Sequence, residues 1–70
     1  MGYKDDDACL AKVQPGEPIF VLRAQDMLAP AIVRKWAEEA EQHGCDAQKV
    51  AEARQCARAM DMWPSRKFPD

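Results

Sequence analysis

Apolar residues recur three or four positions apart along two stretches of the chain, which is the spacing of one helix face. The first stretch, at about 27–43, carries its apolar stripe at Leu28, Ala29, Ile32, Val33, Trp36, Ala37 and Ala40. The second stretch, at about 47–62, carries Val50, Ala53, Ala57 and Met60, with Ala47 and Cys56 beside them. Asp26 and Asp46 precede the two stretches as N-caps, and Gly44 suits the residue that follows the first. The pattern predicts an antiparallel two-helix hairpin whose first helix buries Trp36.

A different pattern, four consecutive apolar residues, lies at positions 19–22 and is followed by Arg23. The β-branched, aromatic and aliphatic side chains that follow Pro18 predict a strand buried on both faces. Because a lone strand cannot satisfy its own backbone, it must pair with residues 8–13, with another subunit, or with both. Residues 8–13 themselves fit either a short helix or a strand.

Together these elements predict an α-rich α+β fold. A short strand or hairpin at about 8–23 would be followed by the antiparallel two-helix hairpin at about 27–43 and 47–62. One small domain would span 8–70. Residues 1–7 are acidic and poor in apolar side chains, so we expect a flexible leader, either the remnant of an epitope tag or native sequence.

The composition changes the picture of the core. Apolar residues make up 47% of the 70 residues, but twelve of them are alanine, and Ile, Leu, Val and Phe together number eleven. A chain of this size buries only about 60% of its unfolded surface, and so few bulky side chains cannot enclose a large pocket. We therefore expect a homo-oligomer, in which a second copy covers the strand.

Charge and hydropathy argue against two classes of partner. The formal net charge is -2, without the basic excess that is typical of proteins that bind duplex nucleic acid. No apolar run approaches the ~18 residues of a membrane span. We expect neither duplex nucleic acid nor a membrane as a partner.

Side chains for catalysis and metal binding are scarce. The chain has one histidine, one serine and no threonine, so we expect no nucleophile–base–orienter set and no enzyme activity. His43 falls in the last turn of the first helix, where the helix dipole favours a cation. The three cysteines are odd in number and form no C-x-x-C pair, which indicates reduced, buried thiols in a cytoplasmic protein. The sequence predicts no catalytic residue, no metal ligand and no cofactor.

The first candidate binding site is the junction between the predicted strand and the first helix. Arg23 ends the strand, Gln25 lies beside it, and the free N–H groups of a helix N-terminus favour an anion. Arg34, one turn into the helix, would extend this surface. In the alternative interpretation Asp26 merely caps the helix and Arg23 is a solvated strand end, because the Asp26 carboxylate already occupies the donor groups.

The second candidate site is the C-terminal tail, which combines two aromatic residues, Trp63 and Phe68, with two cations, Arg66 and Lys67. A flat aromatic side chain beside a cation can stack a nucleotide base while the cation neutralises a phosphate. In the alternative interpretation, Trp63 and Phe68 pack the tail onto the helical hairpin.

Two stretches of the sequence resemble small uncharacterised proteins of phages and prophages. The first is Glu17-Pro18-Ile19-Phe20-Val21-Leu22-Arg23-Ala24-Gln25-Asp26, followed by Ala29-Pro30, Val33, Arg34 and Trp36. The second is the closing Trp63-Pro64, Arg66-Lys67 and Pro69-Asp70. The resemblance includes no catalytic motif. It implies a host-manipulation factor in the cytoplasm of a bacterial host, and by analogy an oligomeric sponge that sequesters the nucleotide signals of anti-phage systems.

These features favour a non-catalytic protein that sequesters an anionic small ligand, a host immune signalling nucleotide, in pockets between subunits. Cations at positions 23, 34, 66 and 67 would neutralise phosphate, and Trp63 or Phe68 would stack a base. The alternative is a protein-interaction module that inhibits or adapts a host protein. Its strand would extend the partner's sheet, or its helical face would fill a groove.

Overall fold

Three helices form along the chain in the computed structural model, which describes residues 8–69. They are α1 (Ala8–Ala11), α2 (Ala29–Gln42) and α3 (Ala47–Asp61). The acidic leader expected at 1–7 lies outside the described residues. The helical hairpin predicted from the apolar spacing is confirmed by α2 and α3, which are the only helices in contact among the described residues.

The core is a thin layer between α2 and α3. It consists of small side chains around two valines and one methionine: Ala29, Val33, Ala37, Ala40, Val50, Ala53, Ala57 and Met60. Four of the alanines, Ala29, Ala37, Ala53 and Ala57, are wholly buried. Because alanine projects so little from the helix surface, the two helices can approach closely, and side-chain volume at this contact is tightly limited.

Local sequence signals end α2 and begin α3. The N–H of Gly44 donates to the carbonyl of Glu41 at 3.1 Å, and that of Cys45 donates to the carbonyl of Ala40 at 3.0 Å. These two bonds form a Schellman motif, and Gly44 adopts the left-handed φ of 73° that the motif requires. The carboxylate of Asp46 then accepts a hydrogen bond from the N–H of Gln48 at 2.9 Å, which confirms Asp46 as the N-cap of α3.

The strand predicted at 19–23 is not formed. Residues 17–23 belong to no helix or strand, and the described residues contain no sheet, only one isolated bridge between Asp26 and Lys67. The first proposed partner, residues 8–13, is unable to pair because it forms α1 and the turn after it. The prediction of a strand or hairpin at 8–23 was therefore wrong within the single chain.

The apolar stripe of α2 is wider than one neighbouring helix can cover. Leu28, Ile32 and Trp36 follow one another four residues apart, on the flank of the buried face, and each is nearly half exposed. Trp36 was expected in the core, but it lies on this flank at 47% exposure. Because α3 is lined by alanine, it covers only a narrow face of α2, and the large side chain of Trp36 lies outside this contact.

The cysteines also differ from expectation. Cys45 is exposed in the loop between α2 and α3, and Cys56 is partly buried at the edge of the core. Both thiols are free, but neither is fully buried. The side chain of Cys9 lies outside the described residues.

Candidate functional site

The C-terminal tail folds back onto the segment that precedes α2. The N–H of Lys67 donates to the carbonyl of Gln25 at 2.7 Å, and the N–H of Met27 donates to the carbonyl of Lys67 at 2.8 Å. These two bonds form the parallel bridge between Asp26 and Lys67. The junction and the tail, which the sequence presents as two separate candidate sites, are therefore one place in the structure.

A shallow cleft of about 160 Å³ lies where the tail meets the junction. Its lining combines cationic, polar and apolar side chains: Val21, Arg23, Gln25, Asp26, Lys67, Phe68 and Pro69. Four of the residues predicted from the sequence, Arg23, Gln25, Lys67 and Phe68, thus lie around one cavity. We call this cavity the junction cleft.

Charge in the junction cleft is weighted towards cations. Arg23 makes no ion pair with any residue that the structure describes, and Lys67 contributes a second positive charge to the lining. The carboxylate of Asp26 opposes them, but one of its oxygens accepts a hydrogen bond from the N–H of Leu28 at 2.8 Å. The prediction that Asp26 is the N-cap of the first helix was wrong, because α2 begins at Ala29 and its N-cap is Leu28. The lining thus holds two cationic side chains and one carboxylate, and Lys67 makes a further interaction of its own.

Arg66 holds the tail in place and lies outside the lining of the junction cleft. Its side chain is only 17% exposed. One terminal nitrogen, Nη2, donates to the backbone carbonyl of Asp26 at 3.3 Å, and the other, Nη1, lies 3.6 Å from Oδ1 of Asp61. The buried Nε has no hydrogen-bond partner among the described residues. These contacts give Arg66 a structural role where the sequence suggested phosphate binding.

Asp61, at the end of α3, joins Arg66 to α2. Its second oxygen, Oδ2, accepts a hydrogen bond from Nη2 of Arg34. This bond and the charges of the two arginines lower the pKa of the Asp61 carboxyl from its ordinary value of 3.8. Arg34, expected to extend an anion-binding surface, is thus engaged with α3 and does not line the cleft.

A second ion pair joins α3 to α2 on the same side of the helical hairpin. Both terminal nitrogens of Arg54 donate to the carboxylate of Glu41, at 3.1 and 3.2 Å. This two-pronged hydrogen bond from Arg54 lowers the pKa of Glu41 from its ordinary value of 4.5, and it raises the pKa of Arg54. Within α2, Nζ of Lys35 lies 3.7 Å from Oε1 of Glu39.

The two aromatic residues of the tail have different positions. Phe68 lines the junction cleft and is 66% exposed, so much of its surface is accessible to a ligand. Trp63 is 53% exposed and lies outside the lining. Neither residue packs into the core between α2 and α3. Arg66 and the two backbone bonds between the tail and the junction hold the tail.

Two apolar surfaces remain uncovered in the single chain. One is the flank of α2 formed by Leu28, Ile32 and Trp36, which we call the α2 flank. The other is the segment 19–21, whose side chains are between 55% and 85% exposed. Single exposed apolar residues are ordinary, but contiguous groups of them indicate contact with another molecule.

No family model, curated protein or solved structure matches this chain. Within the described residues, no helix is long and apolar enough to cross a membrane. No group of three or more histidine, cysteine, aspartate or glutamate side chains is placed to hold a metal ion in the same part of the chain. The junction cleft and the two apolar surfaces are therefore the features that bear on function.

Proposed function

We propose that the chain is a non-catalytic protein that binds an anionic, nucleotide-like small ligand in the junction cleft. A phosphate would lie between Arg23 and Lys67, the amide of Gln25 would hydrogen-bond to it, and a flat ring would lie against Phe68. The observation that supports this proposal is the fold-back of the tail, which brings these four residues around one cavity.

The size of the cleft limits what one chain can hold. Its volume of about 160 Å³ is below the ~300–1,000 Å³ that is usual for pockets that bury a whole small ligand. A phosphate group fits within it, and the rest of a nucleotide would extend across Phe68 or against a second copy. A pocket between subunits, as implied by the thin core, remains part of this proposal.

The phage resemblance gives the proposal its biological setting. It implies that the ligand is a signalling nucleotide of an anti-phage system in the cytoplasm of a bacterial host. Sequestration needs affinity without turnover, and the lining residues supply cations, an amide and an aromatic ring but no cysteine, serine or histidine that would act as a nucleophile.

Thermal shift and calorimetry against a panel of cyclic nucleotides and ADP-ribose-type nucleotides test this function. We expect at least one compound to bind with a Kd below about 100 μM, and the binding to weaken as salt is raised. R23A and K67A should each weaken it, whereas R58A, which removes an exposed arginine of α3 outside the cleft, should not. A panel without any binder, or R58A as harmful as the cleft variants, would refute the proposal.

A second candidate function, a protein-interaction module, is favoured by the α2 flank. Leu28, Ile32 and Trp36 share one side of a helix at about half exposure, which is the arrangement of helices that fill a partner's groove. In this case a stoichiometric complex with a bacterial protein would survive high salt. It would be lost on I32D but not on A31D, which places the same charge at the neighbouring exposed position of α2.

A further inference from the structure

The segment 19–21 has an unsatisfied backbone as well as exposed side chains. None of residues 18–22 makes a backbone hydrogen bond to any described residue. The side chains of Ile19, Phe20 and Val21 are 55%, 85% and 69% exposed. A β-branched, aromatic and apolar segment with free N–H and C=O groups is suited to pair with another strand.

The sequence on either side of Phe20 is complementary to itself. If two copies pair antiparallel about a two-fold axis at Phe20, Glu17 of one copy lies opposite Arg23 of the other. Both residues are exposed in the single chain. The symmetry repeats the pair, so that each end of the paired segment carries one acidic and one basic side chain. Opposite charges at facing positions stabilise paired strands.

The same register agrees with the backbone. Pro18 has no N–H and must therefore lie at a non-hydrogen-bonded position, which places Phe20 at a non-hydrogen-bonded position as well. Side chains approach most closely there, so the two Phe20 rings meet at the axis. Ile19 and Val21 then lie at hydrogen-bonded positions, where their free N–H and C=O groups exchange hydrogen bonds with the other copy.

The chain also marks where this pairing ends. The N–H of Glu17 already donates to the carbonyl of Gln14 at 3.0 Å, and the carbonyl of Arg23 already accepts from the N–H of Asp26 at 2.9 Å. Turns thus begin at both ends of the segment. The backbone N–H and C=O groups that remain free between these turns are the ones that would form hydrogen bonds with the second copy in the two-fold register.

We propose that two copies of this chain associate through antiparallel pairing of the segment 19–21, with Phe20 on the two-fold axis and Glu17 facing Arg23. The partner is a second copy, because the charges flanking the segment are complementary to the same segment reversed. This association is formed by the ligand-free protein and goes beyond the proposed function. Since Arg23 also lines the junction cleft, self-association is measured without ligand, so that the two proposals can fail separately.

Sedimentation velocity of ligand-free E17R, of R23E and of their equimolar mixture tests the register. Each variant alone places like charges opposite each other at both ends, and we expect its self-association to weaken by about tenfold. The mixture restores opposite charges at both ends, so a mixed dimer should form about as well as the wild-type dimer. Circular dichroism checks that α2 and α3 are retained in each variant.

A pair of matched variants tests the position of the axis. F20S removes an 85% exposed side chain at the axis and should weaken self-association, whereas M62S removes an 84% exposed side chain outside the segment and should leave it unchanged. Three results would overturn the proposal: a monomer at every concentration studied, equal effects of F20S and M62S, or self-association that the charge reversals do not alter. The last result would place the self-association at another surface, such as the α2 flank.

Discussion

Removal of the Arg66 side chain should detach the tail and open the junction cleft. The tail is held by two backbone hydrogen bonds, between Lys67 and Gln25 and between Met27 and Lys67, and by the buried guanidinium of Arg66. Backbone bonds of this kind contribute about 0.5–1.5 kcal/mol each, so the contacts of Arg66 supply a large share of the free energy that docks the tail. Loss of any one of these contacts should therefore markedly raise the fraction of chains in which the tail is detached.

The magnitude follows from the contacts that Arg66 makes. Its hydrogen bond to the carbonyl of Asp26 and the burial of its methylene stem, at 17% side-chain exposure, together contribute about 1–2 kcal/mol. R66A should therefore raise the opening equilibrium of the tail about 5- to 30-fold. Hydrogen exchange of the Met27 and Lys67 amides measures this, since both N–H groups are bonded only when the tail is docked.

The control for R66A is R58A, which truncates an exposed arginine of α3 and should leave both amides as protected as in the wild-type protein. Amides in the middle of α2 and α3 should exchange at unchanged rates in R66A. If the protection of Met27 and Lys67 is the same in R66A as in the wild-type protein, Arg66 does not hold the tail, and the account of the cleft fails.

Three further predictions concern the helical hairpin. The pKa values of Glu41 and Asp61 are lowered in the folded chain, so their ionised carboxylates stabilise the fold above about pH 4.5. This contribution to the free energy of unfolding is lost as the pH falls through and below their ordinary values of 4.5 and 3.8. Urea unfolding as a function of pH should show the loss, and the loss should be smaller in E41Q. A53L overfills the wholly buried contact between the helices and should lower the free energy of unfolding by about 1–3 kcal/mol, whereas A51L, on the exposed side of the same helix, should change it by less than about 0.5 kcal/mol. G44A forces a residue with a side chain into the left-handed φ of 73° and should lower the free energy of unfolding by about 1 kcal/mol. Thermal unfolding measures this, and an unchanged melting temperature would contradict the Schellman motif at Gly44.

Features of the fold that depend on nearby residues were predictable from the sequence. The spacing of apolar positions indicates the two helices of the hairpin, and Gly44 and Asp46 mark the end of one and the start of the other. Each of these signals acts within about one helical turn. Trp36 shows the limit of such signals, because spacing indicates which side chains share a face but not how wide a face the neighbouring helix covers.

Features that depend on distant residues were not predictable in the same way. Strand propensity at residues 19–21 indicates that this segment should pair with another strand. Residues 8–13 adopt a helical turn, so they do not supply that strand within the chain. The sequence presents Arg23 and Lys67 as parts of two sites, and only the fold-back of the tail brings them to one cleft. The sequence suggests a ligand-binding role for Arg66 because nothing local shows that Asp61 will lie beside it.

The most direct test of the central claim is a nuclear magnetic resonance titration of the ligand-free protein with inorganic pyrophosphate. If the junction cleft binds anionic ligands, the backbone amides of Arg23, Gln25, Lys67 and Phe68 should shift together and saturably, and K67A should raise the pyrophosphate concentration needed for saturation. Amide shifts that are confined to the α2 flank, or that are scattered over exposed lysines and arginines without saturation, would contradict the claim that this cleft is the binding site.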